Sequence, residues 1–230
     1  MVDLSTRSRA PEWMDGADVS AADFAACLTD LAIVNGVTLA RPPTLAFVAE
    51  ALERHPGAVL TLVDVGYGAG DMLRAVHRLA ARRGRAMRLI GMDINPRSLP
   101  AARAATPPEM GIDYRTGDAM ALDEPTDLVI SSLVTHHMDD DGIVRFLRWM
   151  EAPARAGWFV NDLHRHWLPY HGFRLLAGAM RWHRFVRHDG PLSIARAFRR
   201  EDWTRLLAEA DVVADVRWRF PFRYCVERLR

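Results

Sequence analysis

Four histidines and an aspartate fall in two short runs, Thr135-His136-His137-Met138 and Asn161-Asp162-Leu163-His164-Arg165-His166. Imidazole changes charge near neutral pH, so both runs carry the residue type best suited to moving a proton. His137 and His164 are the first candidates for a base or for a hydrogen-bonding partner of a reacting hydroxyl. Asp162 is placed to orient one of them, and His136 is a further candidate. Each has a plainer reading as well: His136 and Asp162 as satisfied loop residues or helix caps.

A second constellation binds rather than reacts. Val63-Asp64-Val65-Gly66-Tyr67-Gly68-Ala69-Gly70-Asp71 follows an apolar run that begins at Ala58 and precedes a periodic segment from Met72 to Ala81. Glycines there permit a sharp turn and let a ligand approach the main chain. A dinucleotide fingerprint puts its third glycine five positions after the first, where the helix meets a pyrophosphate. That position is Asp71, a carboxylate, so the loop suits a nucleoside ligand without phosphates. Asp93 follows Gly70 by 23 positions at the end of the next apolar run, where a carboxylate can accept from ribose hydroxyls.

These groups need a scaffold. Apolar runs at 58–65, 88–93, 112–116, 127–132 and 157–163 alternate with helical spacing at 71–83, 98–105 and 141–150. Alternation with continuously apolar strands predicts an α/β fold, a doubly wound, mostly parallel sheet covered on both faces. Two more strands, 212–220 and 222–228, suit an antiparallel pair and bring the sheet to seven. In such sheets ligands bind beyond the carboxyl ends of the strands, at the point where strand order reverses. Ahead of the sheet, 18–31 and 44–54 read as two helices, and Met1 to Gly16 as a frayed or lightly structured leader. The expected organisation is an N-terminal helical cap, 1–55, within the same domain as 56–230, with a lid insertion at 164–198.

Together these elements resemble the class I S-adenosylmethionine-dependent methyltransferases, over a span from Ala58 to the C-terminus. Asp64-x-Gly-x-Gly-x-Gly, Asp93-Ile94-Asn95, Gly117-Asp118-Ala119 and Asp127-Leu128-Val129-Ile130-Ser131-Ser132 occur in family order, with a somewhat longer gap between loop and Asp93. The resemblance implies S-adenosyl-L-methionine as cofactor and S-adenosyl-L-homocysteine as product. It implies that Asp64, Gly66, Gly68 and Gly70 shape the bed of the methionine part and that Asp93 holds the ribose. Ile94 would pack on adenine, Asp118 and Ala119 would meet its edge, and Leu133 and His137 would surround the methyl group. Phe159-Val160-Asn161-Asp162-Leu163-His164-Arg165, His188-Asp189-Gly190-Pro191 and Arg41-Pro42-Pro43-Thr44 are similar to a bacterial group acting on polyketide, quinone and related phenolic molecules. There Arg41 would approach the cofactor. The implied reaction is O-methylation of a phenolic, pyrone or quinone-related acceptor. C-methylation, a cofactor-binding module without turnover, and a nicotinamide dehydrogenase are the alternatives, the last weakened by Asp71.

Composition narrows the partners. Thirty basic against twenty-nine acidic residues leave no global charge for nucleic acid, and Ser131-Ser132-Leu133-Val134 stands where nucleic-acid methyltransferases carry an Asn-Pro-Pro-Tyr-type motif. No apolar run reaches the ~18 residues of a membrane span, and the first residues lack a secretory pattern. The expectation is a cytoplasmic protein, monomer or homodimer, with an aromatic or polyketide-like small-molecule substrate and at most weak membrane-surface contact. Tyr170 to Val186 reads as a helix that is a substrate lid, a membrane-surface element or an ordinary packed helix. No metal is expected: His164, His166 and His171 lack a carboxylate or cysteine at ligand spacing, and Asp139-Asp140-Asp141 reads as a helix cap.

Overall fold

The computed structural model describes residues 2–16 and 18–230; Met1, the first residue of the expected leader, lies outside them. β1 (Leu60–Val65), β2 (Met87–Asp93), β3 (Asp113–Thr116), β4 (Thr126–Ser132) and β5 (Ala154–Leu163) run parallel. β6 (Asp215–Arg219) and β7 (Arg223–Leu229) pair antiparallel, and β7 also pairs antiparallel with β5. The sheet has seven strands in the order β3-β2-β1-β4-β5-β7-β6. The expected terminal pair is present, with β6 at one edge of the sheet and β3 at the other. Order reverses between β1 and β4, so the crevice for a ligand opens beyond Val65 and Ser132.

Period-two burial splits the strands between two cores. Leu60, Leu62, Leu128 and Ile130 meet α2 (Arg41–Arg54), α3 (Asp71–Arg82) and α4 (Ser98–Ala105) on one face. Val63, Val65, Val129 and Trp158 meet α5 (Asp140–Glu151) and α8 (Arg200–Ala210) on the other. Burial of each large side chain contributes ~1.5–3 kcal/mol, enough in sum to fix the strand ends where the polar residues emerge. Asp139 caps α5, accepting from Gly142 N–H at 2.7 Å, as the acidic run predicts.

Of two expectations, one is narrowed and one fails. The leader is pinned: Arg7 reaches Asp140 at 2.6 Å, Ser8 N–H donates to the Ala195 carbonyl at 2.9 Å, and Trp13 stacks on His188 at 3.6 Å. The second concerns the single helix over 170–186 and the turn at His188–Pro191. Instead α6 (Trp167–Ala179) stops before Arg181, whose φ is +53°, and α7 (Arg184–Arg196) continues through Pro191. Capping explains the break. His183 accepts from Phe185 N–H through its ring, and Asp30 accepts His183 N–H at 2.6 Å, so a new helix starts there. The Asp189 of the supposed turn instead faces the leader, accepting from Trp13 and Met14 N–H groups at 2.9 Å. Gly190 lets the two helices close: a Cβ on it would sit 2.0 Å from the Phe173 ring.

Candidate active site

One cavity of about 950 Å³ occupies the crevice, bounded by the ends of β1, β2 and β4, the leader, α1 (Ala21–Val37), α6, α7 and the β6–β7 turn. At one end stands the glycine loop. Gly66 has φ +77°, and a Cβ there would lie 2.3 Å from Val134 Cγ2, so no other residue fits without displacing the strand-four loop. Gly68 N–H donates to Asp93 Oδ2 at 3.0 Å and Asn95 N–H to Oδ1 at 2.9 Å, which fixes the carboxylate while each oxygen keeps a lone pair. Asp64 is buried, and its Oδ2 has no hydrogen-bond partner among the described residues. Desolvation, with the charges of Asp71 and Asp93 behind it, pushes its carboxyl well above the usual range. Ile94 lines the cavity 78% exposed, an apolar surface awaiting a flat partner. Asp118 accepts from Met120 N–H at 2.9 Å, and Ala119 and Leu133 complete this end.

Two residues expected here lie elsewhere. Gly70 is taken up by packing: a Cβ on it would sit 2.2 Å from the Tyr114 hydroxyl, so its bareness serves the contact between the α3 start and β3. Arg41 turns from the cavity toward the first turn of α3, 3.5 Å from Asp71 Oδ2. The charge that argued against a pyrophosphate holds it there.

The other end gathers titratable groups. Asp162 is fully buried, with Oδ1 2.7 Å from His136 Nδ1; its Oδ2 accepts from Thr135 Oγ1 at 2.5 Å and from His136 N–H at 3.0 Å. Burial alone would raise this carboxyl; His136, Thr135 and the Leu163 N–H together bring it down to about 2. So Asp162 orients His136 and itself lines nothing. His137 faces the cavity partly exposed, Nδ1 3.1 Å from Asp15 Oδ2. Between the two rings stands Glu12, buried, with Oε1 3.8 Å from His136 Nε2 and Oε2 3.8 Å from His137 Nε2.

His164 is the fourth expected catalytic residue, and the cavity does not include it. β5 alternates, and the residue after Leu163 points to the opposite side, against Trp218, Phe222 and Tyr224. Partial burial and the neighbouring His166 and arginines bring its pKa down to about 4. Sequence reasoning missed Glu12, Asp15 and Arg223. Trp13 and Met14 were the available signal for the first two, because large apolar residues rarely sit in a free leader. Arg223 lines the cavity 1% exposed; its Nη2 donates to Thr38 Oγ1 at 3.1 Å, while Nε and Nη1 find no partner among the described residues. Burial lowers this guanidinium to about 10.

Comparison with known proteins agrees with the architecture. Residues 62–157 match the family model described as a methyltransferase domain. The ubiquinone biosynthesis O-methyltransferase of Methylobacterium sp. (strain 4-46) is 32% identical over 139 residues, 54% of this chain and 53% of that one. The chain thus matches about half the length of this curated relative. Human N-acetylserotonin methyltransferase in complex with S-adenosylmethionine superposes with a TM-score of 0.60 at 17% identity, over 92% of this chain and 56% of that one. Magnesium protoporphyrin IX methyltransferase from Synechocystis PCC 6803 with the same molecule bound gives 0.53 at 15% identity, over 82% and 78%. Residues 62–157 thus match a methyltransferase domain, and the strand order and glycine loop agree with that match. Among the described residues no single helix is long and apolar enough to cross a membrane; α1 and α2 meet that test only as a pair bent by 72°.

Proposed function

We propose that the chain transfers a methyl group from S-adenosylmethionine to an oxygen of a small phenolic, pyrone or quinone-related acceptor. The observation that carries this is one cavity with two chemically distinct ends. Its volume stands near the top of the usual small-ligand range (about 300–1,000 Å³), which leaves room for an acceptor beside a nucleoside. At the glycine end, the unpartnered Asp64 Oδ2 would meet an ammonium, Asp93 the ribose hydroxyls, Ile94 the adenine face and Asp118 its amino edge. The cofactor supplies an electrophilic methyl carbon on a sulfonium.

At the other end His137 Nε2 is the exposed basic atom. With Nδ1–H donated to Asp15, Nε2 keeps its lone pair and can take the acceptor's hydroxyl proton. Arg223 stabilises the anion formed, its Nε and Nη1 having no hydrogen-bond partner among the described residues. Phe173, Leu176 and Val186, from α6 and α7, supply apolar walls suited to an aromatic body, and we assign these helices the role of a lid over it. Support for an oxygen acceptor comes from the relative named as an O-methyltransferase of ubiquinone biosynthesis. The test is incubation with methyl-labelled cofactor and a panel of phenols, pyrones and quinols. Label in a small molecule is expected; label in protein or RNA alone removes this substrate class.

A further inference from the structure

The Glu12–His136–His137 cluster has a geometry that one transferable proton does not explain. His136 Nδ1 lies 2.7 Å from Asp162 Oδ1 and His137 Nδ1 lies 3.1 Å from Asp15 Oδ2. A neutral imidazole that donates Nδ1–H to a carboxylate presents a bare lone pair at Nε2. Both lone pairs face Glu12, one toward each carboxylate oxygen, at 3.8 Å in each case. That separation is too long for a hydrogen bond. Two lone pairs and an anion converging across such a gap repel one another unless a cation stands between them. The gap is the width that ligand bonds of about 2.0–2.2 Å would span.

The other neighbours leave that role open. Ser193 Oγ donates to Glu12 Oε1 at 2.9 Å, which orients the carboxylate without neutralising it. Arg196 Nε stands 3.9 Å from the same oxygen and spends its donors on the carbonyls of His136 at 3.1 Å, His137 at 3.2 Å and Ala10 at 2.8 Å.

We infer that Glu12, His136 and His137 form a binding site for a divalent transition-metal cation of the zinc class. Two imidazoles and a carboxylate are the donor set of open zinc sites, which keep one position for water or substrate. Asp162 and Asp15, each hydrogen-bonded to the far nitrogen of a ligating histidine, are the supporting carboxylates such sites use. Glu12 and His136 are buried while His137 is partly exposed on the cavity wall, so the open position faces the acceptor end. The inference deepens the reading above, on which it rests for the identity of the acceptor: His137 Nε2 is the base in the metal-free chain, and with the ion bound it would serve as a ligand while the acceptor's hydroxyl oxygen takes the open position and loses its proton to solvent. Ion binding itself needs neither cofactor nor acceptor. No metal is expected at His164, His166 and His171 or at Asp139–Asp141; this cluster forms only because the leader brings Glu12 to the loop after β4.

The full chain, stripped with chelator, is titrated with Zn2+ alone by calorimetry and with Co2+ by visible absorption. One ion per chain and the absorption of a low-coordinate Co2+ site are expected. Glu12→Gln and His137→Ala should each abolish both signals, and Asp15→Asn should weaken binding ~10–100-fold. His171→Ala, on an exposed residue of α6, should bind as the wild type does. Wild type that takes up no ion, or Glu12→Gln that takes it up unchanged, overturns the site. Failure of methyl transfer with every acceptor would overturn the proposed reaction and leave these binding results standing.

Discussion

Asp162 Oδ1 lies 2.7 Å from His136 Nδ1, with both side chains buried. The pair couples the end of β5 to the loop after β4, and so ties the shape of the cavity to the ionisation of one carboxylate.

Acid should expose that coupling. Asp162 titrates at about 2 in the folded chain against an ordinary 3.8. A depressed carboxylate contributes its full stability above the ordinary value and loses it as pH falls from there toward about 2. The contribution is about 2 kcal/mol. Asp162→Asn should remove that acid-dependent segment and cost ~2–4 kcal/mol at neutral pH, since it leaves His136 and Thr135 short of an acceptor. Urea midpoints measured across a pH series check both, and an unchanged acid profile contradicts the pairing.

His164 should act in the opposite sense to a base in a working site. Its pKa falls from 6.5 to about 4 on folding, so the unfolded chain binds the proton more readily between those values. Stability therefore declines as pH drops through that window, by about 1 kcal/mol, the ring being half open to solvent. His164→Gln should flatten this part of the stability profile while methyl transfer at neutral pH continues. Loss of turnover without loss of fold would return His164 to the reaction.

The glycines separate by what their missing side chains face. Gly66→Ala drives a Cβ against Val134 beside the cavity, and Gly70→Ala drives one against Tyr114 under α3, both at positive φ. Gly66→Ala should weaken cofactor binding at least ~10-fold. Gly70→Ala should cost ~1–3 kcal/mol of stability, with a smaller effect on affinity in the fraction that folds. Calorimetric titration alongside thermal melts distinguishes the two, and equal effects on both readouts would refute the division.

Arg223 holds a buried charge with no direct ion-pair partner among the described residues, which costs stability unless a ligand answers it. Arg223→Met should leave the protein as stable as before or up to ~1–3 kcal/mol more so, and raise KM for anionic acceptors more than for neutral ones. A large loss of stability would mean that the guanidinium is satisfied in the free protein.

Much of this was legible in the residues. β1, β2, β4 and β5 are largely apolar, so the alternation with helices exposes a parallel sheet, and Asp93 and Asp118 stand where strand ends must be. The rest depends on contacts between distant segments. Glu12 and Asp15 enter the site because Asp189 and His188 of α7 hold the leader down, a relation that no local spacing records. Gly70 shares a motif with two cavity glycines yet serves packing, because its partner, Tyr114, lies on a different strand. His164 and Asp162 are ordinary neighbours of Leu163 in sequence; only the pairing of β5 with β7 decides which of the three faces the cavity. Arg223 is one arginine among many near the C-terminus, and the two nitrogens it leaves unpartnered are evident only in three dimensions.

The two-ended cavity is tested most directly by measuring cofactor affinity and turnover together on Asp93→Ala and His137→Ala. Asp93→Ala should raise the Kd for S-adenosylmethionine ~10–100-fold, the loss of a charged hydrogen-bonding group. His137→Ala should hold that Kd within about twofold of wild type and reduce kcat on an accepted phenol ~10²–10⁴-fold. A His137→Ala enzyme that turns over at the wild-type rate, or that loses the cofactor as Asp93→Ala does, would contradict the account.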